Sequence, residues 1–149
     1  MKQLEIETAL QILKPKKEVF EAIADPDKMS NYFIERGSGR IEEGKEIEWK
    51  FPEFDESFFI KVLEVRPGEY IAYEWEGAKG RMLKVEINLE DLSGNTLVKI
   101  KEGTMENDEE GIKWYGMNTG GWANFLASLK AYLEYGINLR KGAFDFMKK

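Results

Sequence analysis

The chain has 149 residues, room for one sizeable core, with 42% hydrophobic and 34% charged residues. It contains no cysteine and no histidine, which excludes disulfides, thiolate catalysis, thiol-ligated metals and any Ser-His-Asp arrangement. A net charge of −6 argues against nucleic acid, whose phosphates call for a basic face.

No apolar run approaches the ~20 residues of a membrane span. Met1-Lys2-Gln3-Leu4-Glu5 lacks the apolar core of a signal peptide. The expectation is a cytoplasmic protein with no membrane contact and no cofactor, whose chemistry rests on carboxylate, Lys, Tyr, Arg and backbone.

Leu4, Ile6, Thr8, Leu10 and Ile12 alternate with Glu5, Glu7, Ala9 and Gln11, a half-buried strand. Pro15 suits a helix start, and Val19, Phe20 and Ile23 mark a short helix that stops before Asp25-Pro26. Asp27 can cap a second short helix through Met29 and Tyr32-Phe33.

Strands and turns follow. Gly39 to Glu42 reads as a short strand and Glu43-Gly44 as a turn; Ile47, Trp49 and Phe51 then alternate with Glu46, Glu48 and Lys50. Pro52 to Glu56 is an acidic, exposed break. Phe58 to Val65 is a strand whose blurred alternation fits a bulge. Pro67-Gly68 turns the chain into Ile71, Tyr73 and Trp75, and Glu76 to Gly80 turns it again. Leu83, Val85, Ile87 and Leu89 form the cleanest alternation. Ser93-Gly94-Asn95 is a hairpin turn into Thr96, Val98 and Ile100.

From Asp108 to Tyr135 the period changes. Trp122, Phe125, Leu126, Leu129, Tyr132 and Leu133 recur at three- and four-residue steps, with Asn124, Ser128, Lys130 and Glu134 as the polar complement. Asp108 can cap the start and Gly136 the end. About 27 residues at 1.5 Å each give a rod of roughly 40 Å, enough to cross six or seven strands spaced ~4.8 Å apart. Short turns require antiparallel neighbours, and this helix is the only element long enough to cover the apolar face of the sheet. The fold class is therefore α+β, in the order β-α-α-β6-α: a curved antiparallel sheet wrapped around a long C-terminal helix. Residues 1–149 read as a single domain, with 137–149 as an extension.

Gly111, Gly116, Gly120 and Gly121 crowd the N-terminal half of that helix, each costing about 1 kcal/mol against Ala. They admit close backbone approach, open space, or a break near Met117-Asn118. Aromatics on the inner face of the sheet would line any gap between sheet and helix. Tyr73 and Trp75 would offer a polar handle there. The Glu53, Asp55 and Glu56 loop lacks the oxygen spacing and turn glycine of a calcium loop, so no metal is expected.

The order of elements and three local motifs resemble the START-like (SRPBCC, helix-grip) superfamily. Within it, the chain is similar to the C-terminal domain of the activator of the ninety-kilodalton heat-shock protein ATPase. The residues that carry the resemblance are Val19-Phe20-Glu21-Ala22-Ile23-Ala24-Asp25-Pro26-Asp27-Lys28-Met29, then Val62-Leu63-Glu64-Val65-Arg66-Pro67 with Ile71-Ala72-Tyr73-Glu74-Trp75. Gly121-Trp122, followed by Phe125-Leu126, Leu129-Lys130 and Tyr132-Leu133-Glu134, completes them. The resemblance implies the helix-grip fold. It carries over no catalytic set, because the superfamily spans lipid carriers, cyclases and co-chaperone domains.

The leading expectation is a binding protein that holds an apolar or aromatic small molecule between sheet and helix. Its expected cavity residues are Trp49, Phe51, Tyr73, Trp75, Leu83, Trp114, Met117, Gly121 and Phe125. A second reading is an adaptor for a chaperone or other protein. The chain shows no sign of the extra N-terminal domain of the eukaryotic activator, which weighs against it. A third is a cyclase-type enzyme working without His or Cys. The tail holding Phe144, Phe146 and Met147 is expected to pack on the body or mediate a homodimer.

Overall fold

Alternating side chains that bury one face build most of the structure, a computed structural model that describes residues 3–148. The strands are β1 (Leu4–Ile12), β2 (Arg36–Gly37), β3 (Glu46–Lys50), β4 (Ser57–Arg66), β5 (Tyr70–Ala78), β6 (Arg81–Leu92) and β7 (Asn95–Met105). They form one curved antiparallel sheet in the order β1-β7-β6-β5-β4-β3-β2. Helices α1 (Lys16–Ala24) and α2 (Pro26–Met29) carry the chain from the β1 edge to the β2 edge, and α3 (Glu109–Tyr135) closes the concave face.

The expected element order holds, with local corrections. The short strand is Arg36–Gly37, paired with Lys50 and Trp49, rather than Gly39 to Glu42, whose backbone is irregular. Helix α2 is capped by Asp25, which accepts from the Asp27 amide at 2.9 Å, rather than by Asp27. The reason is Pro26 at the first helical position: it holds the residue before it in the extended conformation that an N-cap needs. Strand β5 runs on to Ala78 through a register shift between Glu76 and Ala78, where a turn was expected. The anticipated bulge in β4 lies between Val62 and Glu64. In the β6–β7 hairpin both Ser93 and Gly94 have positive φ, 53° and 90°, matching the twist of the flanking strands.

Helix α3 is unbroken. Asp108 accepts from the Gly111 amide at 2.8 Å, and Gly136 ends the helix in the left-handed conformation. Its C-terminal half is the packing half. Trp122, Phe125, Leu126 and Leu129 are buried, Lys130 Nζ donates to the Gln11 carbonyl, and the Leu13 amide donates to Glu134. Ser128, expected on the polar side, is buried too. The helix lies against β1 and β7. Toward β3 and β5 the gap is bridged by rings: Phe33 to Phe125 at 4.8 Å, Phe33 to Trp49 at 5.7 Å and Trp75 to Trp122 at 5.7 Å. A helix held to one side of a curved sheet leaves a wedge on the other.

Candidate functional site

That wedge opens into a cleft of about 500 Å³ at the end of the sheet. Phe51, Phe54 and Phe58 form the wall on the β3–β4 side, and Trp75 to Gly77 the end of β5. Helix α3 supplies Met117, Asn118, Gly120, Gly121, Trp122 and Asn124. The roof comes from the tail, through Arg140, Phe144 and Met147.

The glycines explain why the space exists. A Cβ on Gly116, Gly120 or Gly121 would meet nothing within 4 Å, whereas one on Gly111 would lie 1.8 Å from the Glu106 carbonyl oxygen. Close approach therefore accounts for Gly111 only. Gly120 and Gly121 leave the cleft open.

Four of the nine expected cavity residues line the cleft: Phe51, Trp75, Met117 and Gly121. The other five do not reach it. Trp49, Tyr73, Leu83, Trp114 and Phe125 are buried in the core behind it. Their shared faces with lining residues point them toward the cavity, but alternation reports which side a residue faces and not how far along the wedge it lies. Tyr73 and Trp75 do not offer the expected free handle. The Tyr73 hydroxyl is buried without a partner among the described residues, and Trp75 Nε1 donates to Glu102. Burial, with the Glu102 charge nearby, pushes the Tyr73 hydroxyl well above the usual tyrosine range.

Glu102 is the residue that sequence reasoning passed over. It is 0% exposed and accepts from Trp75 Nε1 at 2.8 Å, Trp122 Nε1 at 2.9 Å and Asn118 Nδ2 at 3.0 Å. Asn118 also donates to the Gly77 carbonyl, which fixes its amide. Burial pushes the Glu102 carboxyl up, and the three N–H donors pull it back only in part. A signal was present: Thr96, Val98, Ile100 and Glu102 share one face of β7, so the alternation itself turns Glu102 inward. Glu102 stands behind Trp75, Trp122 and Asn118, and its own atoms do not line the cleft.

The second missed pair closes the roof. Arg140 donates to both Glu53 oxygens, at 3.2 and 2.8 Å, with side chains only 11% and 5% exposed. Glu53 therefore sits in the core of this contact, contrary to the exposed acidic loop expected from Pro52 to Glu56. The bidentate fork satisfies the carboxylate and lets it leave water. Asp55 and Glu56 remain exposed. Among the described residues no group of three carboxylates is placed to hold a metal ion, and no helix is long and apolar enough to cross a membrane.

The fold recurs in solved structures. Protein SSP2350 from Staphylococcus saprophyticus superimposes with a TM-score of 0.81 at 31% identity, over 92% of this chain and 96% of that one. The Aha1 dimer from Colwellia psychrerythraea gives 0.76 at 21% identity, over 89% and 98%. CalU16 from Micromonospora echinospora gives 0.72 at 17% identity, over 97% and 83%. No curated protein matches the sequence. The family described as Activator of Hsp90 ATPase homolog 1-like protein matches residues 14–134. That span runs from just after β1 to the last turn of α3. The chain belongs to this family, with a START-like, helix-grip fold.

Proposed function

We propose that this protein binds an apolar or aromatic small molecule in the cleft between the sheet and the N-terminal half of α3. The observation that carries the reading is an aromatic-walled space of about 500 Å³, within the size range of small-molecule sites. Helix glycines keep it open, at positions where alanine would favour the helix. The proposed contacts are Phe51, Trp75, Met117 and Gly121, with Phe58 and Trp122 added.

Native mass spectrometry of freshly purified protein is expected to show a co-purified small molecule. Nile red, an uncharged dye, is expected to brighten in the cleft, and Gly121→Leu to abolish that by filling it. A bare chain, with equal dye response in wild type and variant, overturns the reading.

A second reading, association with a protein partner, is favoured by the number of large apolar side chains left exposed. Ile112, Tyr115 and Met117 on α3, with Ile137, Leu139 and Phe146 on the tail, are exposed. The Colwellia relative is described as a dimer, and the family name points to a chaperone. Light scattering of the eluted protein decides whether the partner is a second copy.

A further inference from the structure

Two neighbouring aromatic clusters line the cleft and share one chemistry; Phe33 of one and Trp122 of the other lie 6.2 Å apart between ring centroids. At the roof, the Arg140 guanidinium lies 4.6 Å from the Phe144 ring centroid, 5.4 Å from Phe51 and 5.7 Å from Phe33, and is closed by the buried Glu53 carboxylate. The roof thus combines aromatic rings, a buried carboxylate and a cation between them. At the floor, the indoles of Trp75 and Trp122 lie 5.7 Å apart and both N–H groups donate to Glu102. The rings and the buried carboxylate are repeated there. The cation is not: Glu102 makes no ion pair among the described residues.

All three hydrogen bonds to Glu102 favour its ionised form, against the burial that raises its carboxyl. An indole N–H can only donate, and the Asn118 amide is turned by the Gly77 carbonyl so that its nitrogen faces the carboxylate. None of the three partners can accept a proton from Glu102. The ionised form is the one this arrangement satisfies. Donation to an anion also enriches the indole ring, so a cation over the ring is drawn by the π face and by the carboxylate behind it. Around the cleft, Glu53 and Arg140 cancel each other, and Glu76 adds a further negative charge.

We propose that the Trp75–Trp122 floor of the cleft is a cation site. Its ligand is an amphiphilic monocation, an aromatic or alkyl amine or a quaternary ammonium. The charged head lies against the two indoles and the apolar body along Phe51 and Phe58. This assignment rests on the reading of the cleft as a small-molecule site and names the ligand class. A free anion is disfavoured, because the guanidinium that would meet it already gives both of its terminal nitrogens to Glu53.

The test uses the full chain and three probes of one shape: 4-phenylbutylamine, 4-phenylbutanol and 4-phenylbutyrate. Titrations at neutral pH are expected to rank amine over alcohol over carboxylate, with the amine at least tenfold tighter than the alcohol. Glu102→Gln is expected to bring the amine-to-alcohol ratio to within twofold. That variant sets an amide N–H against an indole N–H and can lose its fold, so a wild-type readout stands beside it. In nitrogen-correlated NMR spectra the indole N–H signals of Trp75 and Trp122 are expected to move with the amine, while that of Trp49 stays. Equal affinities, a carboxylate that binds tightest, or a signal change confined to Trp49 overturns the cation site and leaves the small-molecule reading standing. Binding of none of the probes at millimolar concentration overturns the cation site as well. Whether the cleft holds any ligand is decided separately, by the native mass spectrum and the Nile red comparison.

Discussion

Glu102 shows what one inward carboxylate imposes on its neighbours. A Cβ on Gly77 would lie 2.1 Å from Glu102 Oε2, so this strand position is glycine because the carboxylate fills the space. Trp75 and Trp122 owe their ring orientations to the same acceptor. The arrangement also has a pH signature. Because burial raises the Glu102 carboxyl, the folded state holds this proton more tightly than the unfolded chain does. Protons are then taken up on folding between the ordinary carboxylate range and the raised value. The stability contributed by Glu102 is highest below that window, falls as pH rises through it, and is level above it. Glu102→Gln removes the titration. Urea unfolding of wild type and variant from about pH 4 to pH 7 is expected to show the wild type losing ground to the variant as pH rises. A difference that does not change with pH, or that moves the other way, would show that Glu102 does not titrate abnormally.

Helix α3 carries opposite consequences of one residue type along its length. Gly116 borders open space, so an alanine there removes backbone freedom from the unfolded chain and clashes with nothing. Gly116→Ala is expected to stabilise by about 0.5–1 kcal/mol. At Gly111 the new Cβ would press on the Glu106 carbonyl and displace the chain that enters the helix, including the Asp108 cap. Gly111→Ala is expected to destabilise by about 1–2 kcal/mol, as loss of a cap does. Thermal unfolding of the two variants checks the sign of each. Two shifts of the same sign would mean that the helix start is not held as described.

Elements of this kind were legible where local periodicity decides them. Leu83 to Leu89 and Trp122 to Leu133 announce their faces, and the bulge in β4 follows from the blurred alternation around Leu63. The cleft was legible only in part, since four glycines in one helix say that something is unusual without saying which of them border space. Glu102 was readable in principle, through its parity with Val98 and Ile100. The Arg140–Glu53 pair was not, because its partners are separated by 87 residues and no local pattern joins them.

At the scale of the whole molecule, every side-chain hydrogen bond that ties the tail to the body among the described residues comes from Arg140. Arg140 bonds Glu53 and lies over Phe33, Phe51 and Phe144, so it ties residues after α3 to the loop after β3 and to the segment after α2. Breaking a buried pair by removing one partner costs about 3–5 kcal/mol when the other charge must stay buried. Here it need not. If the tail lifts, Glu53 meets water and the penalty is relieved. Arg140→Ala is therefore expected to release the tail as a local unit rather than to unfold the sheet. Hydrogen exchange should quicken at the Ala143, Met147 and Lys148 amides, which bond within the tail in the intact protein. Amides of β5 to β7 should keep their protection, and Nile red in the cleft should lose its roof and dim. A second variant separates charge from anchoring. Glu53→Gln keeps an acceptor for Arg140 and is expected to leave the tail largely protected. If instead Arg140→Ala speeds exchange equally in the tail and in β6, the tail belongs to the global folding unit and does not act as a separate roof. A roof that lifts independently gives a ligand a route into the cleft without disturbing the sheet or α3.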